Sequence, residues 1–179
     1  MNIEIKKNER IDDLDYKGLK IIQNTEGFCF GIDAVLLSDF AKEIKNNSKV
    51  LDLGTGTGIL SILLSGKTNL NKIYGIEIQE EVANMAQRSV QLNNLENKIE
   101  IINKNIKDLE NIFEKNSFDA IVTNPPYKKI NTGEKNEKEN KLISRHEVTA
   151  SLDDFIKISF NLLKDKGSFY MVHRPERLA

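Results

Sequence analysis

Short apolar runs along the chain alternate with segments in which apolar residues recur every three or four positions. The runs, which predict strands, are Lys49–Leu53, Lys72–Ile78, Ile99–Asn103, Phe118–Asn124 and Gly167–His173. The periodic segments, which predict helices, carry their apolar faces on residues 59–64, 82–93 and 152–163. Strands that alternate with helices indicate parallel pairing through βαβ crossovers. We therefore predict a doubly wound α/β fold with a mostly parallel sheet covered on both faces.

The first 47 residues follow a different pattern. Tyr16-Lys17-Gly18 lies between two short β-prone stretches and predicts the tight turn of a hairpin. Asp33 is predicted to cap the amino terminus of a helix that runs to Ala41. We interpret residues 1–47 as a hairpin-and-helix flap ahead of the main domain, residues 48–179, because so short a segment cannot form a second domain.

Composition narrows the class of protein. The 179 residues hold 26 Lys and Arg against 27 Asp and Glu, and a net charge of −1 excludes a polybasic, histone-like mode of binding. There is no run of about 20 apolar residues to span a membrane, and the first residues lack a signal pattern. The single cysteine, Cys29, and two histidines offer no internal disulfide or zinc site. We expect a cytoplasmic protein without a metal, most simply a monomer.

The segment Lys128–Lys141 is strongly polar. It holds five lysines and three glutamates but one strongly apolar residue, Ile130. Such a composition cannot bury enough surface to offset the entropy lost on ordering. We expect a mobile loop.

A glycine-rich loop connects the first strand of the main domain to its first helix. The motif DLGTGTG begins at Asp52, and Gly54, Gly56 and Gly58 allow a tight turn and the close approach of a ligand. Glu77, 19 residues after Gly58, ends the next strand, where its carboxylate can accept both hydroxyls of a ribose. The third glycine comes one position early for the dinucleotide pattern G-x-G-x-x-G. Because Asp52 would also repel a pyrophosphate, a nucleoside that carries positive charge fits better.

A second motif, Asn124-Pro125-Pro126-Tyr127, follows the fourth strand of the main domain. A residue before proline is held extended, and the prolines have fixed φ and no N–H group. The Asn124 side-chain oxygen and the Pro125 carbonyl could therefore bind the two N–H groups of a planar amine and aim its lone pair at an electrophile. Tyr127 offers a face on which a base can stack, and a base within a helix would have to flip out to reach it.

These strings resemble those of a known group of enzymes. DLGTGTG resembles motif I of the class I S-adenosyl-L-methionine-dependent methyltransferases, and NPPY resembles motif IV of the amino-methyltransferases among them. The flanking strings FGIDAVLL (30–37), RHE (145–147) and HRPERL (173–178) are similar to those of the bacterial tRNA(Val) (adenine-N6)-methyltransferase family. The resemblance implies a Rossmann-like fold, S-adenosyl-L-methionine as the cofactor, and N6-methylation of the adenosine next to the anticodon of valine tRNA.

The resemblance also implies roles for individual residues. The cofactor would be held by Asp52, Gly54, Thr55, Gly56, Gly58, Glu77, Ile78 and Asn105, and the adenine by Asn124, Pro125, Pro126 and Tyr127. Asn105 stands where the superfamily often carries aspartate, so it either accepts a bond from the adenine amino group or caps the next helical turn. Contacts to tRNA phosphates would come from Lys128, Lys129, Arg145 and His146, with ordinary surface charge as the alternative.

The family pattern continues after HRPERL with a helix and two further strands. We therefore expect a truncated sheet in which the fifth strand of the main domain is an uncovered edge.

Other acceptors remain as alternatives within the amino-methyltransferases: glutamine N5 in proteins, adenine N6 in DNA and guanine N2 in ribosomal RNA. The glutamine enzymes carry a larger helical domain before motif I than the 51 residues that precede Asp52 here. DNA adenine enzymes usually need a target-recognition insert larger than Lys128–Lys141. A non-catalytic module that binds the cofactor or RNA is the alternative from another class.

Overall fold

The computed structural model describes residues 3–27, 30–125 and 150–173. In chain order, its strands and helices are β1 (Glu9–Asp13), β2 (Lys20–Asn24), α1 (Ile32–Phe40), β3 (Lys49–Leu53), α2 (Ile59–Lys67), β4 (Lys72–Glu77), α3 (Glu80–Leu92), β5 (Ile99–Asn103), β6 (Phe118–Thr123), α4 (Leu152–Leu162) and β7 (Leu163–Met171). Two 3-10 helices, Ala41–Glu43 and Ile106–Asn111, follow α1 and β5. No helix in these ranges is long and apolar enough to cross a membrane.

Within the described residues the main sheet has five strands, all parallel, in the order β5-β4-β3-β6-β7. The chain leaves β3 towards β4 and β5 and then returns to the other side of β3 for β6 and β7. This reversal confirms the predicted doubly wound fold. It also places a topological switch point between β3 and β6, and in such sheets ligands bind outside the carboxyl ends of the strands at that point.

The sheet separates two apolar cores. Val50 and Leu51, consecutive residues of β3, are both fully buried, Val50 in one core and Leu51 in the other. The first core also contains apolar residues of α1, α2 and α3, and the second contains those of α4 and the 3-10 helix Ile106–Asn111. Burial on both faces explains why the strands are nearly continuous apolar runs.

The hairpin formed by β1 and β2 packs against α3. The pairing of the two strands is antiparallel, as predicted from the Tyr16-Lys17-Gly18 turn. Arg88 of α3 donates to both carboxylate oxygens of Glu9 at 2.6 Å, and the two side chains are only 10% and 5% exposed. The Arg88 hydrogen bonds hold the pKa of Glu9 below its ordinary value. Asn93 adds a second anchor, since its amide bonds the backbone N–H and carbonyl of Lys20 at 2.8 and 2.7 Å.

The predicted cap of α1 is wrong by two positions. The helix begins at Ile32 after Gly31, which is extended at φ −94° and ψ 169°, so Asp33 lies in the first turn instead of at the cap. A carboxylate in that turn still faces the positive end of the helix dipole. This favourable charge position explains why Asp33 looked like a helix start.

The last strand begins earlier than the apolar pattern predicts. β7 starts at Leu163, four residues before Gly167, and its pairing with β6 shifts register between Phe118 and Ala120. Within this irregular part, Lys166 takes a left-handed conformation at φ 61°. Polar residues in the segment hid the start of the strand from the sequence pattern.

Candidate functional site

The glycine loop leaves the carboxyl end of β3 and leads into α2. Its three glycines, Gly54, Gly56 and Gly58, have φ values of 73°, 57° and 89°, which residues with a Cβ rarely adopt. The backbone N–H groups of Gly54 and Thr55 both donate to the carbonyl of Ile76 in β4, at 3.0 and 2.9 Å. A Cβ on Gly56 would meet no atom within 4 Å. The loop is thus tied to β4 on one side and open at Gly56 to a ligand.

Asp52 lies beneath this loop with its carboxyl group buried. Its Oδ2 accepts hydrogen bonds from the hydroxyls of Thr55 at 2.6 Å and Ser61 at 2.7 Å. Burial raises the pKa of Asp52 to about 6, and the nearby charge of Glu77 adds to the rise while the two hydroxyls oppose it. Because burial disfavours the charged form of this carboxyl group, a cationic ligand nearby would stabilise that form.

Gly75 makes room for Thr55. This glycine lies in the middle of β4, and a Cβ there would come within 2.9 Å of the Thr55 hydroxyl and 2.8 Å of Ile101 Cδ1. Such distances are shorter than real contacts allow, so a side chain at this position would displace Thr55 from Asp52. A glycine inside a strand commonly marks a close approach of this kind.

Glu77 ends β4 next to the glycine loop. One carboxylate oxygen accepts the Gly56 N–H at 3.1 Å and the other accepts the Gln79 N–H at 2.9 Å. The Asn103 amide donates to the carbonyls of Glu77 and Ile78, at 2.8 and 3.0 Å. These bonds hold the turn after β4, where Ile78 lies half-buried.

Asn105 caps the 3-10 helix that follows β5. Its side-chain oxygen accepts the N–H of Lys107 at 3.0 Å. Of the two roles expected from the sequence, the structure shows the cap. The residue is half-buried and sits two residues past the end of β5, at the same edge of the sheet as Glu77, so its position remains consistent with a contact to a bound nucleoside.

Asn124 and Pro125 leave the carboxyl end of β6, the neighbour of β3. The register pairs Thr123 with Leu53, so Asn124 and Gly54 follow paired residues of adjacent strands. Asn124 is half-buried and Pro125 is buried. Outside the described residues lie Pro126, Tyr127 and the segment Lys128–Lys141, together with the predicted phosphate contacts Lys128, Lys129, Arg145 and His146.

The site thus gathers two sets of predicted residues at one edge of the sheet. The first set surrounds the glycine loop: Asp52, Gly54, Thr55, Gly56, Gly58, Glu77 and Ile78. The second is Asn124 with Pro125. An open glycine backbone, a carboxylate at the tip of the next strand and a buried acid fit a nucleoside cofactor that carries positive charge.

Three residues that support the site went unnoticed in the sequence. Ser61 binds Asp52, Gly75 leaves room for Thr55, and Asn103 holds the turn after Glu77. The signals were present but weak: a serine in the first turn after the glycine loop, a glycine inside a strand and an amide at a strand end.

A family comparison agrees with this geometry. Residues 31–177 match the model of the methyltransferase small domain family, which covers most of the chain. The prediction of a methyltransferase that uses S-adenosyl-L-methionine is thereby confirmed at the level of the family.

Three curated relatives that this chain resembles carry the name tRNA1(Val) (adenine(37)-N6)-methyltransferase. The relative from Porphyromonas gingivalis is 30% identical over 93% of this chain and 67% of its own length. That from Haemophilus influenzae is 30% identical over 85% of this chain and 68% of its own length. That from Aliivibrio salmonicida is 28% identical over 79% of this chain, which spans 58% of that relative.

Solved structures share the fold at lower identity. M. jannaschii TYW2 in complex with AdoMet is 19% identical, with a TM-score of 0.61 over 89% of this chain and 60% of that one. Geranyl diphosphate methyltransferase in complex with SAM is 16% identical, with a TM-score of 0.58 over 78% of this chain and 47% of that one. Both likenesses concern the Rossmann-like fold. With a parallel sheet, a glycine loop and a family match over residues 31–177, this chain belongs to the methyltransferase small domain family, among the relatives of the bacterial tRNA(Val) (adenine-N6)-methyltransferases.

Proposed function

We propose that this protein methylates the N6 amino group of an adenine in tRNA, with S-adenosyl-L-methionine as the methyl donor. The observation that carries the proposal is the pairing of Leu53 with Thr123. Adjacent strands lie about 4.8 Å apart, so the glycine loop and Asn124 leave the sheet side by side. A methyl donor on the loop and an amine on Asn124 would therefore be neighbours. The choice of adenine and of tRNA rests on the names of the relatives.

The residues around the loop suit the donor. When bound, S-adenosyl-L-methionine supplies an electrophilic methyl group on a positively charged sulfur. Glu77 would accept the ribose hydroxyls, as its position at the tip of β4 allows. Asp52 would oppose the positive charge from beneath the loop, where burial strengthens the interaction. The exposed backbone at Gly56 would lie against the ligand.

Asn124 and Pro125 suit the acceptor. The amino group of adenine is a poor nucleophile because its lone pair is delocalised into the ring. The Asn124 side-chain oxygen and the Pro125 carbonyl would accept hydrogen bonds from the two N–H groups of the adenine amine. These bonds would turn the lone pair of the amine towards the methyl group. Alignment of this kind supplies much of the rate when reacting atoms lie about 3–3.5 Å apart. No strong base is required, because the methylated nitrogen is acidic and releases its extra proton to water.

The test compares two asparagine variants on tRNA that lacks its own modification. Asn124→Ala should lower kcat for methyl transfer by about 100-fold or more, while the Kd for S-adenosyl-L-methionine stays within about threefold of wild type. Asn161→Ala is the matched control, since that amide lies on α4 and bonds Glu110. Near-normal turnover in Asn124→Ala would overturn the assigned role of the asparagine.

The identity of the product separates the remaining alternatives. Methyl label in protein glutamine, DNA adenine or ribosomal guanine would show that the proposed acceptor is wrong and that the reaction is still an amino-methylation. Binding of S-adenosyl-L-methionine without transfer to any of these acceptors would favour a non-catalytic module.

A further inference from the structure

Thr123 is the last residue of β6 and is completely buried. Its hydroxyl donates to the backbone carbonyl of Leu53, the last residue of β3, at 2.8 Å. A side chain therefore joins the ends of two adjacent strands where their ladder finishes. The two joined residues directly precede Gly54 and Asn124.

The bond belongs to a row of hydrogen bonds that joins adjacent strands at the carboxyl-terminal edge of the sheet. On one side, the Gly54 N–H ties β3 to the Ile76 carbonyl of β4 at 3.0 Å. On the other side, the Val172 N–H donates to the Thr123 carbonyl at 3.3 Å, next to the end of β7. The Thr123 hydroxyl adds a side-chain link, at the end of the backbone ladder of β3 and β6, between the β4–β3 half of the row and the β6–β7 half.

Packing alone does not explain a threonine at this position. Valine has almost the same shape, is favoured in strands and leaves no polar group to satisfy. A buried hydroxyl is tolerated when it is hydrogen-bonded, so the bond to Leu53 is the feature that distinguishes the two residues here.

We propose that Thr123 is a positioning residue whose hydroxyl fixes the spacing between the glycine loop and Asn124. The inference rests on the proposed function, in which the loop holds the methyl donor and Asn124 holds the amine. Removing the bond would leave the β3–β6 ladder and each half of the site in place, but would loosen the two strand ends from which Gly54 and Asn124 follow. A misplacement of about 1 Å can cost about 100-fold in rate.

The experiment uses three variants of the whole chain. Thr123→Val removes the hydroxyl and keeps the shape, and Thr123→Ser keeps the hydroxyl. Thr68→Val is the matched control: the Thr68 hydroxyl also donates to a backbone carbonyl, that of Leu64. Thr68 lies at the opposite edge of the sheet, since the next residue, Asn69, bonds Asn47 ahead of β3 at 2.8 Å.

Thr123→Val is expected to lower kcat about tenfold or more, with the Kd for S-adenosyl-L-methionine and the KM for tRNA within about twofold of wild type. Thr123→Ser should restore kcat to within about threefold, and Thr68→Val should leave it unchanged. Three results would overturn the proposal: an unchanged kcat in Thr123→Val, an equal loss in Thr68→Val, or a weakening of cofactor binding that accounts for the whole loss.

A second readout needs no substrate. Amide hydrogen exchange at Gly54 and Asn124, followed by NMR, should accelerate in Thr123→Val and remain as in wild type in Thr68→Val. If the wild-type protein methylates no tRNA adenine, the proposed acceptor fails, and the exchange rates still decide whether Thr123 joins the two strand ends. Unchanged exchange in Thr123→Val would refute the link itself.

Discussion

The buried carboxyl group of Asp52 should make the stability of the protein fall as the pH rises. Burial raises its pKa from 3.8 to about 6, with a further contribution from the charge of Glu77. The unfolded chain therefore releases the Asp52 proton at a lower pH than the folded chain does. Between the two pKa values the folded state binds more protons, so the free energy of unfolding decreases with pH.

The size of the effect follows from the two pKa values. A pKa that moves from 3.8 to about 6 corresponds to about 3 kcal/mol once Asp52 is charged in both states. Of this, about 2 kcal/mol develops between pH 4.5 and 7.5. Below the unfolded pKa the contribution vanishes, because the carboxyl is protonated in both states.

The perturbation is Asp52→Asn, which cannot ionise and keeps an oxygen to accept the Thr55 and Ser61 hydroxyls. The chain has no tryptophan, so urea unfolding is followed by far-UV circular dichroism at pH values from 4.5 to 7.5. The free energy of unfolding of the variant minus that of wild type should rise by about 2 kcal/mol across this range. Any fixed structural cost of the substitution shifts the whole curve and leaves its slope unchanged.

Asp119→Asn is the matched control and should give a nearly flat difference curve from pH 4.5 to 7.5, with a slope of opposite sign only below about pH 4. Burial acts to raise the pKa of Asp119, but the Lys164 ammonium at 2.6 Å and the Lys49 N–H at 2.8 Å lower it overall. Its stabilising contribution is present above the unfolded pKa and is lost as the pH falls through the folded pKa. A flat difference curve for Asp52→Asn, or an equal rise from pH 4.5 to 7.5 in both variants, would refute the reasoning.

Three further substitutions test the packing at the site, the anchor of the hairpin and the start of α4. Gly75→Ala places a Cβ within 2.9 Å of the Thr55 hydroxyl. Calorimetry should therefore show S-adenosyl-L-methionine binding that is weaker by about tenfold or more. An unchanged affinity would show that Thr55 can move without harm. Arg88→Ala removes the ion pair of the buried Glu9 carboxylate and leaves it the Lys6 N–H, so it should cost about 3 kcal/mol in urea unfolding. A loss below about 1 kcal/mol would mean that water replaces the pair. Ser151→Ala removes the capping box of α4 and should lower stability by about 1 kcal/mol, with Ser151→Thr as the variant that retains most of it.

Most strands of the sheet were predictable because the apolar run that marks each strand lies within that strand. β3 and β5 begin and end where the apolar runs do, since each strand contributes apolar residues to the cores on both faces of the sheet. The start of β7 was missed because Lys164, Asp165 and Lys166 interrupt its apolar pattern. The prediction of a strand thus depended on its buried apolar residues, and the exposed first residues of β7 could not be predicted as strand.

The site was predictable only in part, because some of its contacts join distant residues. The glycine loop and Glu77 were predicted from their spacing along the chain. The contact of Gly75 with Thr55 and the pair formed by Glu9 and Arg88 bring together residues 20 and 79 positions apart. Nothing in the sequence near either residue identifies its partner, so these contacts required the packed structure.

The central claim is that this chain methylates an adenine of tRNA, and the most direct measurement identifies the methylated nucleoside. The protein is incubated with labelled S-adenosyl-L-methionine and tRNA that lacks its own modification, and the tRNA is then digested to nucleosides. We expect label in N6-methyladenosine, and its loss in Asn124→Ala. Label in a different nucleoside, or none in tRNA while S-adenosyl-L-methionine still binds, would contradict it.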